Sequence, residues 1–131
     1  SVIMLQRQLQ HGRPQWENEV AEDIFSTLKD ILKSYEPDFH VKRDEADNYY
    51  LETLKADGTS EMFAAVQIKK SYVSFHLFPV YLDASLLDGI SDALRKRMQG
   101  KSCFNFGPKH IIPVDEMTAL VADCAAFSKK R

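Results

Sequence analysis

Cysteine is scarce in this chain. There are two, Cys103 and Cys124, and they form no CxxC pair. That excludes a disulfide framework and a cysteine-based zinc site. Isolated thiols of this kind read as reduced residues of a cytoplasmic protein, with a single Cys103–Cys124 bridge as the alternative. Long apolar runs are missing too: no stretch approaches the ~18 residues needed to span a membrane. The opening SVIMLQRQLQHGR does not read as a signal peptide, because its apolar run is short and charge follows at once. No glycine-rich phosphate loop is present. Nor is there an excess of one charge: 17 basic and 19 acidic residues leave a net charge of −2. That balance argues against a nucleic-acid-binding domain. The basic clusters, Arg95-Lys96-Arg97 with Lys101 and the tail Lys129-Lys130-Arg131, read as solvated surface.

What is present is an ordinary globular composition, 44% apolar and 27% charged. It is enough to build one core without staples. A single domain is expected over residues 14–128, with residues 1–13 as an N-terminal extension of unassigned structure. The organising stretch is Met62 to Leu82, MFAAVQIKKSYVSFHLFPVYL, which reads as two β-strands joined by a tight polar turn. Successive side chains of a strand face opposite ways. Val73, Phe75 and Leu77 therefore share one face, and Tyr72, Ser74, His76 and Phe78 the other. In the preceding strand Met62, Ala64, Val66 and Ile68 fall opposite Phe63, Ala65 and Gln67. One face is apolar and one mixed, as in an antiparallel sheet covered by helices on one side only.

The rest of the chain fits around that hairpin. Trp16, Val20, Ile24, Leu28, Ile31 and Tyr35 recur at helical spacing, predicting a helix from Pro14 to about Tyr35. It is ended by Glu36-Pro37. Extended runs follow at Phe39–Arg43 and Asn48–Leu54, and Asp57-Gly58 supplies a hairpin turn. A second helix is predicted from Asp83 or Ser85 to about Gln99, closed by Gly100. Lys101–Phe106 predicts a short fifth strand, and Val114 to about Phe127 a third helix. The expected fold is α+β: an antiparallel sheet of about five strands with helices mainly on one face, in the order α-β-β-β-β-α-β-α.

At this point the chain resembles a known family. The hairpin running into KKSYVSFHLFPVY, the GKSCFNF stretch and the IIPVDEMTALV helix start are similar to the pattern of the YdhG-like proteins, the DUF1801 domain. The resemblance covers about Trp16 to Phe127 and rests on mainly structural positions. It implies a compact α+β domain with an antiparallel sheet flanked by helices. It also implies an alternative function, since a frataxin-like iron-chaperone role, carried by acidic surface residues, has been attached to the family.

Several groups are candidates for chemistry. His76 sits mid-strand with Tyr72 and Phe78 at two-residue spacing. It reads either as a hydrogen-bonded, half-buried histidine or as a group that binds a ligand, a metal or a proton. No two of the four histidines have metal-ligand spacing. Cys103 lacks any neighbour in sequence that would activate it, and Cys124 lies on the apolar stripe of the last helix. Glu19, Glu22 and Asp23, with Asp44, Glu45 and Asp47, read as solvated acids or as a weak site for a hard cation or ferrous iron. The aromatics Tyr49, Tyr50, Phe63, Tyr72, Phe78, Phe104 and Phe106 divide between core and a pocket wall or stacking platform. Gly107-Pro108-Lys109-His110 places two basic side chains before a helix N-terminus, which attracts anions.

No convergent acid–base or nucleophile pair is legible, so the expected function is non-catalytic. It is a small cytoplasmic binding or adaptor domain with no cofactor, binding a small molecule or a protein at Phe63, Tyr72, His76 and Phe78. The alternative takes iron at Glu19, Glu22 and Asp23.

Overall fold

The computed structural model describes residues 19–131. Trp16, Pro14 and the N-terminal extension lie outside the described residues. The first helix, α1 (Val20–Lys33), buries Ala21, Ile24, Phe25, Leu28, Ile31 and Leu32 along one stripe. Glu22 and Asp23 in its first turn and Lys33 in its last match the helix dipole. The chain then turns through Tyr35–Phe39, where the Phe39 N–H donates to the Tyr35 carbonyl at 3.1 Å.

Among the described residues six strands make one sheet: β1 (His40–Glu45), β2 (Asn48–Leu54), β3 (Ser60–Ile68), β4 (Val73–Leu77), β5 (Met98–Gln99) and β6 (Cys103–Phe106). Their spatial order is β1-β2-β3-β4-β6-β5, and every pair is antiparallel. The Asp57-Gly58 turn forms as expected, with Gly58 at φ +87°. Asp57 Oδ1 accepts from the Thr59 N–H at 2.9 Å. The closing helix, here α4 (Val114–Lys129), buries Met117, Leu120, Val121 and Cys124. α1 packs on β3 and β4, on the sheet face of Leu51, Ala64, Val66, Phe75, Leu77 and Phe104, all of them fully buried, and α4 packs against α1, α2 (Pro79–Leu82) and the 84–87 turn. Burial pushes the Cys124 thiol up to about 12. Both cysteines are free.

The α+β architecture is the expected one, with two departures. The short helix α2 precedes the helix predicted from Asp83 or Ser85 to about Gln99, and that helix is broken into a 3-10 turn (Ala84–Leu87) and α3 (Asp92–Arg95), its end forming a strand that was not expected, β5. Its apolar stripe is nonetheless correct: Leu87 and Leu94 are buried, and Leu86, Ile90 and Met98 pack against the core. The backbone breaks because side chains bind it in non-helical turns. Asp83 Oδ1 accepts from the Ser85 N–H at 3.0 Å. Ser91 Oγ caps the Leu94 N–H at 3.1 Å. Ser91 is itself gripped by Glu116 of α4, through its N–H at 2.5 Å and its hydroxyl at 2.7 Å. Gly89 adds helix-breaking entropy between them. Gly100, at φ +77°, ends no helix; it opens the turn between β5 and β6.

The second departure is a bulge in β3. Leu51 pairs with Ala64, but Glu52 pairs with Met62, so Phe63 is the extra residue. A bulge lets two neighbours lean to the same side. Phe63 therefore joins Ala64 on the helix face. Its ring stacks on Phe39 with centroids 3.9 Å apart and meets Tyr35 at 6.3 Å.

Candidate functional site: a basic corner of the sheet

The four residues expected to line one site are dispersed. Phe63 is core, 1% exposed. Phe78 leaves the strand: its backbone is already helical (φ −62°, ψ −36°) as it starts α2, and its ring stacks on Tyr81 at 5.7 Å. His76 stays mid-strand and half-buried, pairing with Ala65 and Cys103 across the sheet. Its Nε2 shares a 2.7 Å hydrogen bond with Ser102 Oγ, a partner that sequence reasoning missed. No carboxylate among the described residues holds the other side of the His76 ring, so a Ser–His–acid relay is not assembled. Beside it, Ser74 Oγ lies 3.3 Å from Cys103 Sγ. Tyr72 is different: at the end of the β3–β4 turn, it borders a hollow at the corner of the sheet.

That hollow, about 390 Å³, is built from three segments. Ser71 and Tyr72 come from the β3–β4 turn, Lys96 to Gln99 from the entry into β5, and Asn105 with Gly107 to His110 from the exit of β6. Sheet order brings them together, because β6 lies between β4 and β5. The Arg97 N–H donates to the Leu94 carbonyl at 2.9 Å, and the Arg97 carbonyl accepts from the Asn105 N–H at 2.7 Å. The Gly107–His110 turn closes with the His110 N–H donating to the Gly107 carbonyl at 3.1 Å. Tyr72, Met98 and Pro108 give the hollow apolar walls, and Asn105 gives it an amide. A second hollow of about 500 Å³ adjoins it, with Ala93, Ile111 and Pro113 as its apolar side. Ile111 is 91% exposed on its rim.

Lys96, Arg97, Lys109 and His110 line both hollows, and no carboxylate lines either. Lys96 and Arg97 of one basic segment noticed in the sequence and Lys109 and His110 of the other thus form one patch, while Arg95 turns away and donates to the Leu87 carbonyl at 2.9 Å. The His110 Nδ1 accepts from the Gly107 N–H at 2.8 Å, while its Nε2 contacts the Arg97 guanidinium. Partial burial and the Arg97 charge hold His110 below its ordinary value of 6.5.

The acids expected to hold iron do not gather. Asp44 pairs with Lys29 at 2.6 Å and Glu45 with Arg43 at 3.1 Å. Among the described residues, no three His, Cys, Asp or Glu side chains are grouped to hold a metal ion, so Glu19, Glu22 and Asp23 form no such site. Among the described residues the buried carboxylate is Glu52, missed in the sequence, which meets His40 Nδ1 at 2.7 Å. That hydrogen bond holds it below its ordinary 4.5. Among the described residues, no helix is long and apolar enough to cross a membrane.

These groups predict a pH dependence. Burial holds His76 below 6.5, as it does His110, so the unfolded chain binds these protons more readily. Their stabilisation is fully present above 6.5 and is lost as pH falls from there through the folded values. The part due to Glu52 is lost only lower, as pH falls below 4.5. Urea unfolding from about pH 7.5 to about pH 5.5 is expected to show falling stability. The slope should be shallower in His76→Gln. An unchanged slope in His76→Gln and in His110→Gln would show that neither histidine carries it.

No family model matches the chain, and neither the curated proteins nor the solved structures include a match to it.

Proposed function

We propose that this domain is a non-catalytic binding module of the YdhG-like type, and that its ligand is a small organic molecule seated at the Tyr72 corner of the sheet. The observation that carries this reading is the hollow of about 390 Å³, where the aromatic Tyr72, the flexible Met98 and the amide of Asn105 converge. Ligand sites of this size combine apolar walls with a few placed polar groups. Neither hollow includes the His76–Ser102 pair, which supports binding rather than reaction at this corner. The test is a two-dimensional amide spectrum of the full chain against a panel of small organic compounds. Shifts centred on residues 71–72, 96–99 and 105–110 are expected. Shifts confined to residues 74–78 and 101–103 would move the site to the middle of the face and sink the proposal.

A further inference from the structure

The patch shared by the two hollows has a hydrogen-bonding deficit. A neutral imidazole offers one acceptor nitrogen, and a guanidinium only donates. Both nitrogens of His110 face donors: Nδ1 the Gly107 N–H, and Nε2 the Arg97 guanidinium. With Nδ1 occupied as acceptor, Nε2 carries the ring proton. Two donors then meet at Arg97 and His110 with no acceptor between them. If the tautomer is reversed, the donor–donor contact moves to Gly107 and a deficit remains. An oxygen with free lone pairs placed at this patch would accept from both sides.

Charge points the same way. Lys96 and Lys109 flank the Arg97–His110 contact and are exposed, and neither has a salt-bridge partner among the described residues. Lys29, Arg43, Lys55, Lys129 and Arg131 are paired with acids, whereas Lys33, Lys69 and Lys130, like Lys96 and Lys109, belong to none of these pairs; what sets Lys96 and Lys109 apart is that they converge with Arg97 on one hollow. In a chain of net charge −2, this corner is a local excess of positive charge that no lining residue neutralises. Such a cleft concentrates anions. Arg supplies a planar fork suited to phosphate or carboxylate, and Lys supplies mobile point charges.

Resting on the binding-module reading, we propose that Arg97, His110, Lys96 and Lys109 hold the compact anionic group of the ligand, a phosphate or a carboxylate, while its apolar body lies against Tyr72 and Met98. The ligand class is a small organic anion with an aromatic or apolar body. Binding involves no covalent step.

The test uses the full chain and three probes followed by amide NMR titration: benzyl phosphate, phenylacetate and benzyl alcohol. At least one of the two anions is expected to bind at residues 96–110 at least tenfold more tightly than the alcohol, and added salt should weaken it. Comparing the two anions separates phosphate from carboxylate recognition. The double variant Lys96→Ala/Lys109→Ala, whose side chains are exposed, should melt like the parent and lose most of the tenfold preference. Arg97→Gln should lose it as well. Equal binding of the alcohol and the anions at Tyr72 would overturn the anionic group and leave the module standing. A preference for anions that survives both variants would also overturn it. Silence of all three probes at this corner would contradict both proposals.

Discussion

Replacing Phe63 by alanine is expected to lower the unfolding free energy by about 3–5 kcal/mol, the usual cost of truncating a buried phenylalanine. That is a large fraction of the ~5–15 kcal/mol available to a typical domain. The reason is the β3 bulge. It turns Phe63 toward the helices, where its ring lies face to face with Phe39, 3.9 Å away and nearly parallel at 7°. Tyr35, from the turn after α1, closes the third side. Alanine would leave a cavity that α1 and the turn cannot collapse into without breaking the Phe39–Tyr35 backbone bond. Urea denaturation of the two proteins checks this. A loss under ~1 kcal/mol, with weakened ligand binding instead, would place Phe63 on the ligand-facing side and refute the bulge's role.

Truncating Tyr72 to alanine has the opposite signature. Affinity for the organic ligand is expected to fall about 10- to 100-fold, which corresponds to the ~1–3 kcal/mol of one aromatic stacking partner. Stability should change little, because Tyr72 is half-exposed at the end of a turn that the Lys69 N–H and the Tyr72 carbonyl close through the backbone at 2.8 Å. Tyr72→Phe should bind nearly as well as the parent, since the stacking face is kept. Calorimetric titration against the tighter-binding of benzyl phosphate and phenylacetate, beside thermal melts, gives both numbers. Equal affinity of Tyr72→Ala and the parent would remove the ring from the site.

These two residues mark where the sequence was legible and where it was not. Period-two alternation located β2, β3 and β4 and put Val73, Phe75 and Leu77 on the buried face, because a regular strand has only two sides. Helical spacing located α1 and α4 for the same geometric reason. Alternation fails across a bulge, and nothing in Glu61-Met62-Phe63-Ala64 announces one, so Phe63 was assigned to the wrong side. Between Asp83 and Gln99 the buried stripe was right and the helix was not. The same apolar residues can be buried by short turns when Asp83, Ser91 and the distant Glu116 bind the backbone. The hollow was half visible. Arg95-Lys96-Arg97 and Lys109-His110 stood out as charged segments. Only the insertion of β6 between β4 and β5 brings them beside Tyr72, and that order is a tertiary fact with no local signal. The Ser102 partner of His76 and the His40–Glu52 pair escaped for the same reason, being 26 and 12 residues apart in sequence.

The most direct test of the central claim, that ligand binds at the Tyr72 corner and not across the middle of the sheet face, is an intermolecular NOE spectrum of the full chain with the tighter-binding of benzyl phosphate and phenylacetate. The account predicts NOEs from the benzyl ring protons to the Tyr72 ring and to the Met98 methyl group. NOEs to His76, Phe78 or Tyr81, with none to Tyr72, would contradict it.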